Sequence, residues 1–335
     1  MNKTVNSSFI MTNFNISQID EAYRRIQPFI VKTPLIYSEY LNNITRAKVF
    51  FKLENLQRTG SFKLRGATNK IIQLTLEEKK RGVVAYSSGN HAQAVAYASK
   101  LLGINAKIVM PKNAPIIKIN NTKKYGAEIV LYDPTSENRE KIGEEIAKIE
   151  KRILIKPYDD ENIIAGQGTS GKEIVEELIN LGEKPDLYLC CCGGGGLIAG
   201  TSTYMKHKFK NIKCYAVEPE NFNDTQISLI NNNITPNKKL SYSICDALLA
   251  EQPGDITFAI NKQNLSGGLT VSDDEVKQTI VELAENLKIV VEPGGAVAAA
   301  ALLNNKIDVK DQTIVVMISG GNIDSEFFYN ISKEF

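Results

Sequence analysis

Four consecutive glycines, residues 193 to 196, lie between a strand-like run, Asp186–Cys192, and an apolar stretch that begins at Leu197. Glycine has no Cβ, so such a loop can turn sharply and direct several backbone N–H groups at one point. A helix that begins directly behind the loop adds the positive end of its dipole. The pattern predicts a strand–loop–helix unit whose backbone holds a phosphorylated ligand.

Short apolar runs alternate with amphipathic stretches along most of the chain. Buried strands are predicted at Val83–Ser88, Ala106–Pro111, Ala127–Asp133, Asp186–Cys192, Lys213–Pro219 and Gln312–Ser319. Helices are predicted at Ser136–Lys151 and Gly171–Leu181, and a capping box at Ser272–Glu275 opens another that runs to Leu287. This alternation is typical of α/β proteins with mostly parallel sheets, in which ligands bind beyond the carboxyl ends of strands. The length of 335 residues suggests two lobes.

Composition excludes several classes of function. The 40 basic and 38 acidic residues leave no basic stripe for nucleic acid. No window approaches the roughly 20 apolar residues that span a bilayer, and the polar N-terminus does not resemble a signal peptide. Five cysteines, three of them adjacent at Cys190–Cys192, form neither a disulfide framework nor a metal-binding pattern. They suit a reducing compartment, and we expect a cytoplasmic protein.

A second motif, Ser61–Ala67, contains a candidate catalytic lysine. Lys63 lies between Phe62 and a Gly-Ala pair, where a flat ligand could lie against backbone and ring. A lone lysine is usually a surface residue, which is the simpler interpretation.

Two further motifs follow predicted strands. Ser87–His91 combines hydroxyl residues with a glycine and suits an anion, although Ser88 or Asn90 as a helix N-cap is the simpler interpretation. Ser319–Asn322 places a hydroxyl where it could meet a bound heterocycle, and the simpler interpretation there is a turn.

Together with Ala165–Thr169 and Glu292-Pro293, these motifs resemble those of the fold-type II pyridoxal-phosphate (PLP) enzymes. The branch is that of serine racemases, threonine dehydratases and 3-hydroxyaspartate dehydratases, and the resemblance begins near Ile19. It implies a tryptophan synthase β-like fold with two α/β lobes. Residues 1–81 and 160–335 would form a large PLP-binding domain, residues 82–159 a small mobile domain, and no C-terminal regulatory domain would follow. A homodimer is also implied.

The resemblance assigns cofactor contacts to several residues. Lys63 would form the internal Schiff base with PLP, Phe62 would pack on the ring, Asn90 would bond the phenolic oxygen, and Ser319 would meet the pyridine nitrogen. The phosphate would be held by Gly193, Gly194, Gly195 and Gly196. To act as a base, Lys63 must spend time neutral, well below its unperturbed pKa of about 10.4.

The reaction that the resemblance implies is the β-elimination of a 3-hydroxy amino acid to a keto acid and ammonia. Lys63 would act on one face of the cofactor, and Ser88 matches the opposite-face serine of serine racemases. Ser87, Ser88, Asn90 and His91 would bind the substrate carboxylate, although a structural role for His91 is at least as well supported. Racemisation of serine or aspartate at the same site is the alternative activity.

Arg139 bears on the identity of the substrate. In the first turn of a predicted helix, where the dipole disfavours a cation, it is either an exposed arginine paired with Glu137, Glu140 or a nearby acid, or a clamp for a carboxylate. It matches an arginine of serine racemases and hydroxyaspartate dehydratases. A second substrate carboxylate would give it a partner, so 3-hydroxyaspartate is placed ahead of serine and threonine.

A divalent cation is implied by the segment Glu218–Asp224. Oxygen ligands from Glu218, Asp224 and the Phe222 carbonyl suit Mg²⁺ or Ca²⁺, and their spacing matches the metal site of the racemase family. A helix-capping role for the carboxylates is the simpler interpretation.

Two positions depart from the family pattern. Ala247 stands where relatives usually have glycine, and Gly294 stands where relatives often have alanine, serine or threonine. The first adds a Cβ near the cofactor, and both leave the shape of the pocket open.

The sequence also leaves open two alternatives to a PLP-dependent dehydratase. Gly194, Gly196 and Ala199 fit a loose dinucleotide fingerprint, and Glu218 lies where a ribose-binding acid of an NAD-dependent dehydrogenase could sit. That interpretation leaves the Lys63 motif unexplained. A non-catalytic PLP-binding protein is the third alternative.

Overall fold

A computed structural model describes residues 13–87, 89–114, 116–237 and 242–335. Within these residues the strands are β1 Leu35–Tyr37, β2 Lys48–Leu53, β3 Val83–Tyr86, β4 Ala106–Pro111, β5 Glu128–Tyr132, β6 Ile153–Leu154, β7 Leu187–Cys191, β8 Lys213–Pro219, β9 Leu265–Val271 and β10 Thr313–Ile318.

The helices of the same residues are α1 Ile16–Ile26, α2 Glu39–Thr45, α3 Lys63–Ile72, α4 Leu76–Arg81, α5 Asn90–Leu101, α6 Ile116–Lys124, α7 Arg139–Ile149, α8 Glu161–Asn180, α9 Gly196–Lys208, α10 Asp224–Asn231, α11 Asp255–Asn264, α12 Asp273–Leu287, α13 Pro293–Leu303 and α14 Ser325–Ile331. Short 3₁₀ helices lie at Glu54–Leu56 and Asp246–Leu248.

Two sheets organise the chain. One has six strands in the order β1-β2-β10-β7-β8-β9, and the other has four in the order β5-β4-β3-β6. Only the β1–β2 pair is antiparallel among the described strands. The predicted α/β class with mostly parallel sheets is therefore confirmed. All strands of the smaller sheet fall within residues 82–159, but the mobility of that segment stays a prediction.

All six predicted strands are present, as β3, β4, β5, β7, β8 and β10, with ends that differ by at most two residues. The predicted capping box is also present, because Ser272 caps α12 and the Glu275 side chain bonds back to the cap. Strands β1, β2, β6 and β9 were not predicted. The two-residue β6 and the Gly267-Gly268 pair in β9 give little hydrophobic signal.

Helix α3 carries the Lys63 motif and packs against α5 and α8. Leu64, Ala67 and Ile71 pack into the apolar core of the four-stranded sheet. On another side α3 approaches α8 closely, because a Cβ on Gly166 would lie 2.6 Å from the carbonyl oxygen of Arg65. The Ala165–Thr169 motif therefore lets two helix backbones pack together at the residues that follow Lys63.

All five cysteines are buried free thiols, as their spacing predicted. In the described part of the chain, no helix combines the length and the apolar character that a membrane crossing needs.

Candidate active site

The amine of Lys63 lies in an interior site with a neutral partner. Lys63 is the first residue of α3, and its Nζ donates to the carbonyl oxygen of Pro157 at 2.8 Å. The same Nζ lies 5.1 Å from the centroid of the Phe62 ring. Loss of hydration lowers the pKa of Lys63 to about 8, and the Cys191 thiol and the Glu292 carboxylate offset that effect in part. The site therefore holds an amine that exchanges its proton near neutral pH.

The glycine loop lies beside this amine. Gly193–Gly196 joins β7 to α9, as predicted, and the loop contacts Tyr158, the residue after the Pro157 that binds Lys63. Gly195 has a φ of +87°, in the left-handed region that favours glycine. A Cβ on Gly194 would lie 2.4 Å from the Tyr158 ring, so only glycine fits there. The loop ends at the first residue of α9, which suits an anion such as a phosphate.

Ser319 is joined to the residue before Lys63 by a backbone hydrogen bond. It follows β10 and is buried, and its carbonyl oxygen accepts a hydrogen bond of 3.1 Å from the Phe62 N–H. Its Oγ lies 3.5 Å from the carbonyl oxygen of Gly294 and bonds to the thiol of Cys191. The site thus presents a neutral hydroxyl next to Lys63, and this hydroxyl brings no fixed negative charge.

The two departures from the family pattern meet in space. A Cβ built on Gly294 would lie 3.1 Å from the Cβ of Ala247, which is a tight contact. A side chain at position 294 would therefore be crowded by the methyl group of Ala247. Ala247 also borders the glycine loop, since its carbonyl oxygen lies 3.5 Å from the Cβ position of Gly193.

The carboxamide of Asn90 is fixed at both ends. Its Nδ2 donates to the Glu292 carboxylate, and its Oδ1 accepts a 2.7 Å bond from Nδ2 of Asn322. Asn322 also donates to the carbonyl oxygen of Thr59 at 2.9 Å, in the loop before Lys63. Asn90 is the first residue of α5, its N-cap is Gly89, and no side-chain cap is present. The capping interpretation of Asn90 is therefore wrong, and its contact with a phenolic oxygen stays a prediction.

The other polar residues of the Ser87–His91 motif have different hydrogen-bond partners. His91 is buried, and its Nε2 donates to the carbonyl oxygen of Ile155 at 2.8 Å. Burial, and next the Lys63 charge, lower the pKa of His91 to about 3, so the ring is neutral at pH 7 and has a structural partner. Ser87 accepts a bond from the Gly89 N–H at 3.2 Å. Ser88 lies outside the described residues. Substrate contacts of all three stay predictions.

Arg139 is the exposed first residue of α7. No described residue forms a hydrogen bond or ion pair with its guanidinium group, so the predicted pair with Glu137 or Glu140 is absent from the described structure. Its charge acts instead on two tyrosines, Tyr86 and Tyr158, whose pKa values burial raises to about 12 and Arg139 lowers in part. Because Tyr158 packs on the glycine loop, Arg139 lies near that side of the site.

A buried charge cluster supports the lysine helix. The Arg65 guanidinium bonds to Glu54 at 2.7 Å and to Glu173 at 2.8 Å, and Lys52 Nζ bonds to Glu173 at 2.7 Å. All four side chains are fully buried. Burial alone would disfavour the charge, but Glu54 and Glu173 outweigh it and raise the pKa of Arg65. We call these four residues the Arg65 cluster.

The Arg65 cluster was not predicted from the sequence. The signal was an arginine inside the otherwise apolar run Leu64–Ala67. Long charged side chains are rarely buried without partners, so this pattern marks an internal ion pair.

Two carboxylates of the predicted cation site lie together in the interior. Glu218 at the end of β8 accepts bonds from the N–H groups of Thr225 and Gln226, at 2.9 and 2.8 Å. Burial, and next the Asp224 charge, raise the pKa of Glu218. Burial also raises the pKa of Asp224 to about 7. The Oδ2 atom of Asp224 is buried, and no described residue hydrogen-bonds to it.

Such a pair suits a cation, because like charges without a counter-ion are costly to bury. Nevertheless, no group of three or more His, Cys, Asp or Glu side chains within the described residues is placed to hold a metal. A cation here would need the Phe222 carbonyl and water as further ligands. The Glu218 bonds to the start of α10 also satisfy the simpler capping interpretation.

A family model described as pyridoxal-phosphate dependent enzyme matches residues 26–320 of the chain. The chain belongs to this family of PLP enzymes. A serine racemase of Schizosaccharomyces pombe is 42% identical over 312 residues, which cover 92% of this chain and 94% of the relative. The L-threo-3-hydroxyaspartate ammonia-lyase of Saccharomyces cerevisiae is 41% identical over 304 residues, covering 91% and 92%.

The fold is shared with solved members of the family. The crystal structure of a T.th. threonine deaminase superposes with a TM-score of 0.88 at 37% identity, covering 92% of this chain and 99% of that one. Family membership confirms the predicted fold type and implies PLP as the cofactor of this enzyme.

The alternative of a dinucleotide-binding enzyme is not supported by this PLP enzyme's structure. Glu218, the acid proposed for a ribose, is fully buried and already accepts two backbone N–H groups. Lys63, which the dinucleotide interpretation left unexplained, lies beside the glycine loop through Pro157 and Tyr158.

Proposed function

We propose that this PLP enzyme removes water and then ammonia from a 3-hydroxy amino acid, with 3-hydroxyaspartate preferred and serine and threonine next. The Cα–H and Cβ–O bonds break, the hydroxyl leaves as water, and hydrolysis of the unsaturated product releases a keto acid and ammonia. The main support is the Lys63 amine, whose pKa of about 8 suits proton transfer near neutral pH. The similarity to a hydroxyaspartate ammonia-lyase and to a threonine deaminase supports the reaction type.

When bound, PLP supplies an aldehyde for an amine and a ring that accepts electrons from Cα. Lys63 would hold it covalently, and the N–H groups of Gly193–Gly196 would hold its phosphate. Phe62 would cover one face of the ring, and Asn90 would donate to the phenolic oxygen. Ser319 would present its neutral hydroxyl to the ring nitrogen. This arrangement favours loss of a β-leaving group over the lasting storage of negative charge.

The base on the side of Cα opposite Lys63 would decide between elimination and racemisation. Lys63 moves a proton at one face of Cα, and Ser88 is proposed as the base at the other. Similarity to a serine racemase favours racemisation as the second candidate activity. Chiral analysis of unreacted serine alongside keto-acid release measures the ratio of the two. A Ser88→Ala variant that keeps elimination and loses racemisation would support this division of roles.

The preference for hydroxyaspartate rests on Arg139. Its guanidinium is exposed and acts on the hydroxyl of Tyr158, which packs against the glycine loop. A bidentate bond from arginine to a second substrate carboxylate would strengthen the binding of a four-carbon diacid relative to that of serine.

We also propose that Glu218, Asp224 and the Phe222 carbonyl bind Mg²⁺ or Ca²⁺. The homodimer and the cytoplasmic location stay predictions, and light scattering after gel filtration tests the dimer.

The test of this function is a panel of D- and L-serine, threonine and hydroxyaspartate isomers, with keto-acid release as the readout. Hydroxyaspartate should give the highest kcat/KM. Arg139→Ala should lower that value at least about tenfold more for hydroxyaspartate than for serine. Lys141→Ala, an exposed change in the same turn of α7, is the matched control and should leave both unchanged. Equal losses on the two substrates would contradict the role of Arg139.

A further inference from the structure

Helix α11 holds the glycine loop from the side of its carbonyl groups. Thr257 Oγ1 donates to the carbonyl oxygen of Gly194 at 2.7 Å, closer than its other contact, the Gly254 carbonyl oxygen at 3.1 Å. Asn261 Nδ2 donates to the carbonyl oxygen of Gly195 at 3.3 Å. Both side chains are fully buried, and they are spaced one helical turn apart.

These two contacts determine where the loop directs its N–H groups. In a trans peptide the C=O and the following N–H point in opposite directions. The Gly194 carbonyl shares a peptide with the Gly195 N–H, and the Gly195 carbonyl shares one with the Gly196 N–H. Because both carbonyls face α11, both N–H groups face away from it. They are left for a ligand, in a loop whose glycines have no side chains of their own to fix its conformation.

The same chain segment that binds Lys63 also fixes α11. Asp159 Oδ1 accepts bonds from the N–H groups of Ile256 and Thr257, at 2.9 and 3.2 Å, in the first turn of α11. Residues 157 to 159 therefore contact the lysine amine, the Gly194 backbone and the start of α11 in succession. Three consecutive residues therefore link the Lys63 amine, the glycine loop and α11.

We propose that Thr257 and Asn261 are positioning residues that orient the Gly195 and Gly196 N–H groups and thereby set the affinity for the phosphate. This inference rests on PLP binding in the proposed site. Neither residue touches the ligand. Loss of the Thr257 hydroxyl leaves a buried carbonyl without its side-chain donor, which frees that peptide to rotate.

The experiment measures binding of PLP and of pyridoxal, which lacks the phosphate, to the apoprotein by absorbance titration. Thr257→Val should weaken PLP binding by about tenfold to a hundredfold. Its affinity for pyridoxal should stay within about twofold of the parent protein, because only the phosphate uses the loop. Thr257→Ser, which restores a hydroxyl, should recover most of the lost affinity. Asn261→Asp, whose carboxylate cannot donate to the Gly195 carbonyl, should also weaken PLP binding. It provides a second measurement if Thr257→Val is unstable.

Asn264→Ala is the matched control. Asn264 lies on the same helix and bonds to Ser202 and Thr203 of α9, at 3.2 and 3.0 Å, away from the glycine loop. It should alter stability but not the ratio of PLP to pyridoxal affinity. An unchanged PLP affinity in Thr257→Val, or an equal loss for both probes, would overturn the inference. Failure of the proposed PLP site would look different, since the parent protein itself would then bind neither probe at Lys63.

Discussion

The first turn of α3 contains two cations in contrasting surroundings. Arg65 is fully buried and bonds to two carboxylates, at 2.7 and 2.8 Å. Lys63, two residues earlier, donates to a neutral carbonyl oxygen at 2.8 Å. Burial disfavours both charges, but in Arg65 the acids outweigh it and raise the pKa, whereas in Lys63 the pKa falls to about 8. The same helix thus holds one cation that stays charged and one that can become neutral.

The difference shows how one helix serves structure and chemistry. The Arg65 cluster joins α3 to the end of β2 and to α8, since its acids are Glu54 and Glu173. It fixes the helix and leaves no proton to exchange. Lys63 gains less from its charge and remains available for reaction. Substitutions of Arg65, of Lys63 and of the buried acid Asp224 should therefore change the free energy of unfolding by different amounts and with different signs.

Removal of Arg65 should cause the largest loss of stability. In Arg65→Met, Glu54 and Glu173 remain buried with reduced compensation, and the free energy of unfolding should fall by about 3–5 kcal/mol. Urea unfolding of the apoprotein measures the change. A loss below about 1 kcal/mol would mean that the cluster does not hold α3.

Neutralisation of Asp224 should stabilise the apoprotein. The folded pKa of about 7 lies above the ordinary value of 3.8, so the folded state binds this proton more tightly, and stability falls as pH rises between those values. Asp224→Asn should therefore be more stable than the parent protein at pH 8, by about 1–3 kcal/mol. Urea unfolding at pH 8 and at pH 5 measures the gain, which should be smaller at the lower pH.

Adding millimolar Mg²⁺ or Ca²⁺ tests whether Glu218 and Asp224 bind a cation or only cap α10. Either ion should raise the melting temperature of the parent protein and of Glu220→Gln, an exposed change in the same segment, but not that of Asp224→Asn. If neither ion shifts the parent protein, the carboxylates serve only to cap α10.

Replacement of Lys63 should abolish activity and slightly stabilise the apoprotein at pH 7. The folded pKa of about 8 lies below the unfolded value of about 10.4, so the charged lysine opposes folding at low pH. Lys63→Met should gain on the order of 1 kcal/mol at pH 7, and the gain should shrink as pH rises above about 8. Unfolding curves across this range test the sign, and a loss of stability at pH 7 would show that Lys63 is paired like Arg65.

The smallest effect is expected for an exposed ion pair. Lys80 and Glu77 on α4 lie 2.9 Å apart with side chains 73% and 74% exposed. Lys80→Met should change stability by no more than about 0.5 kcal/mol, because solvent screens such pairs. This variant is the control for Arg65→Met, since both replace a paired cation with methionine. A similar loss in the two would remove the distinction between buried and exposed pairs.

The sequence was sufficient for the parts of the fold that rest on local pattern. The strands β7 and β10 are almost entirely apolar, and β8 has an apolar centre between Lys213 and Glu218. The glycines that follow β7 predict a phosphate-binding loop, although they also fit a loose dinucleotide fingerprint. The limit of such patterns is visible in α7. The spacing of Ile142, Ile146 and Ile149 predicts that all three lie on one buried face, but Ile149 is 79% exposed at the end of α7. Periodicity identifies a helix but does not fix where its buried face ends.

The contacts that complete the site could not be predicted, because they join distant parts of the chain. Pro157 binds Lys63 through its backbone, which no side-chain pattern reveals. Ala247 and Gly294 lie far apart in the sequence, and only the structure shows that a Cβ at position 294 would lie 3.1 Å from the Cβ of Ala247. Thr257 and Asn261 carry no motif, since their role is to hold the carbonyl groups of another segment.

The covalent attachment of PLP to Lys63 is the central claim, and borohydride reduction tests it most directly. The PLP-loaded protein is reduced, digested and analysed by mass spectrometry. A pyridoxyl label on Lys63, absent from Lys63→Ala, is the predicted result. A label on another lysine, or full activity in Lys63→Ala, would contradict the account.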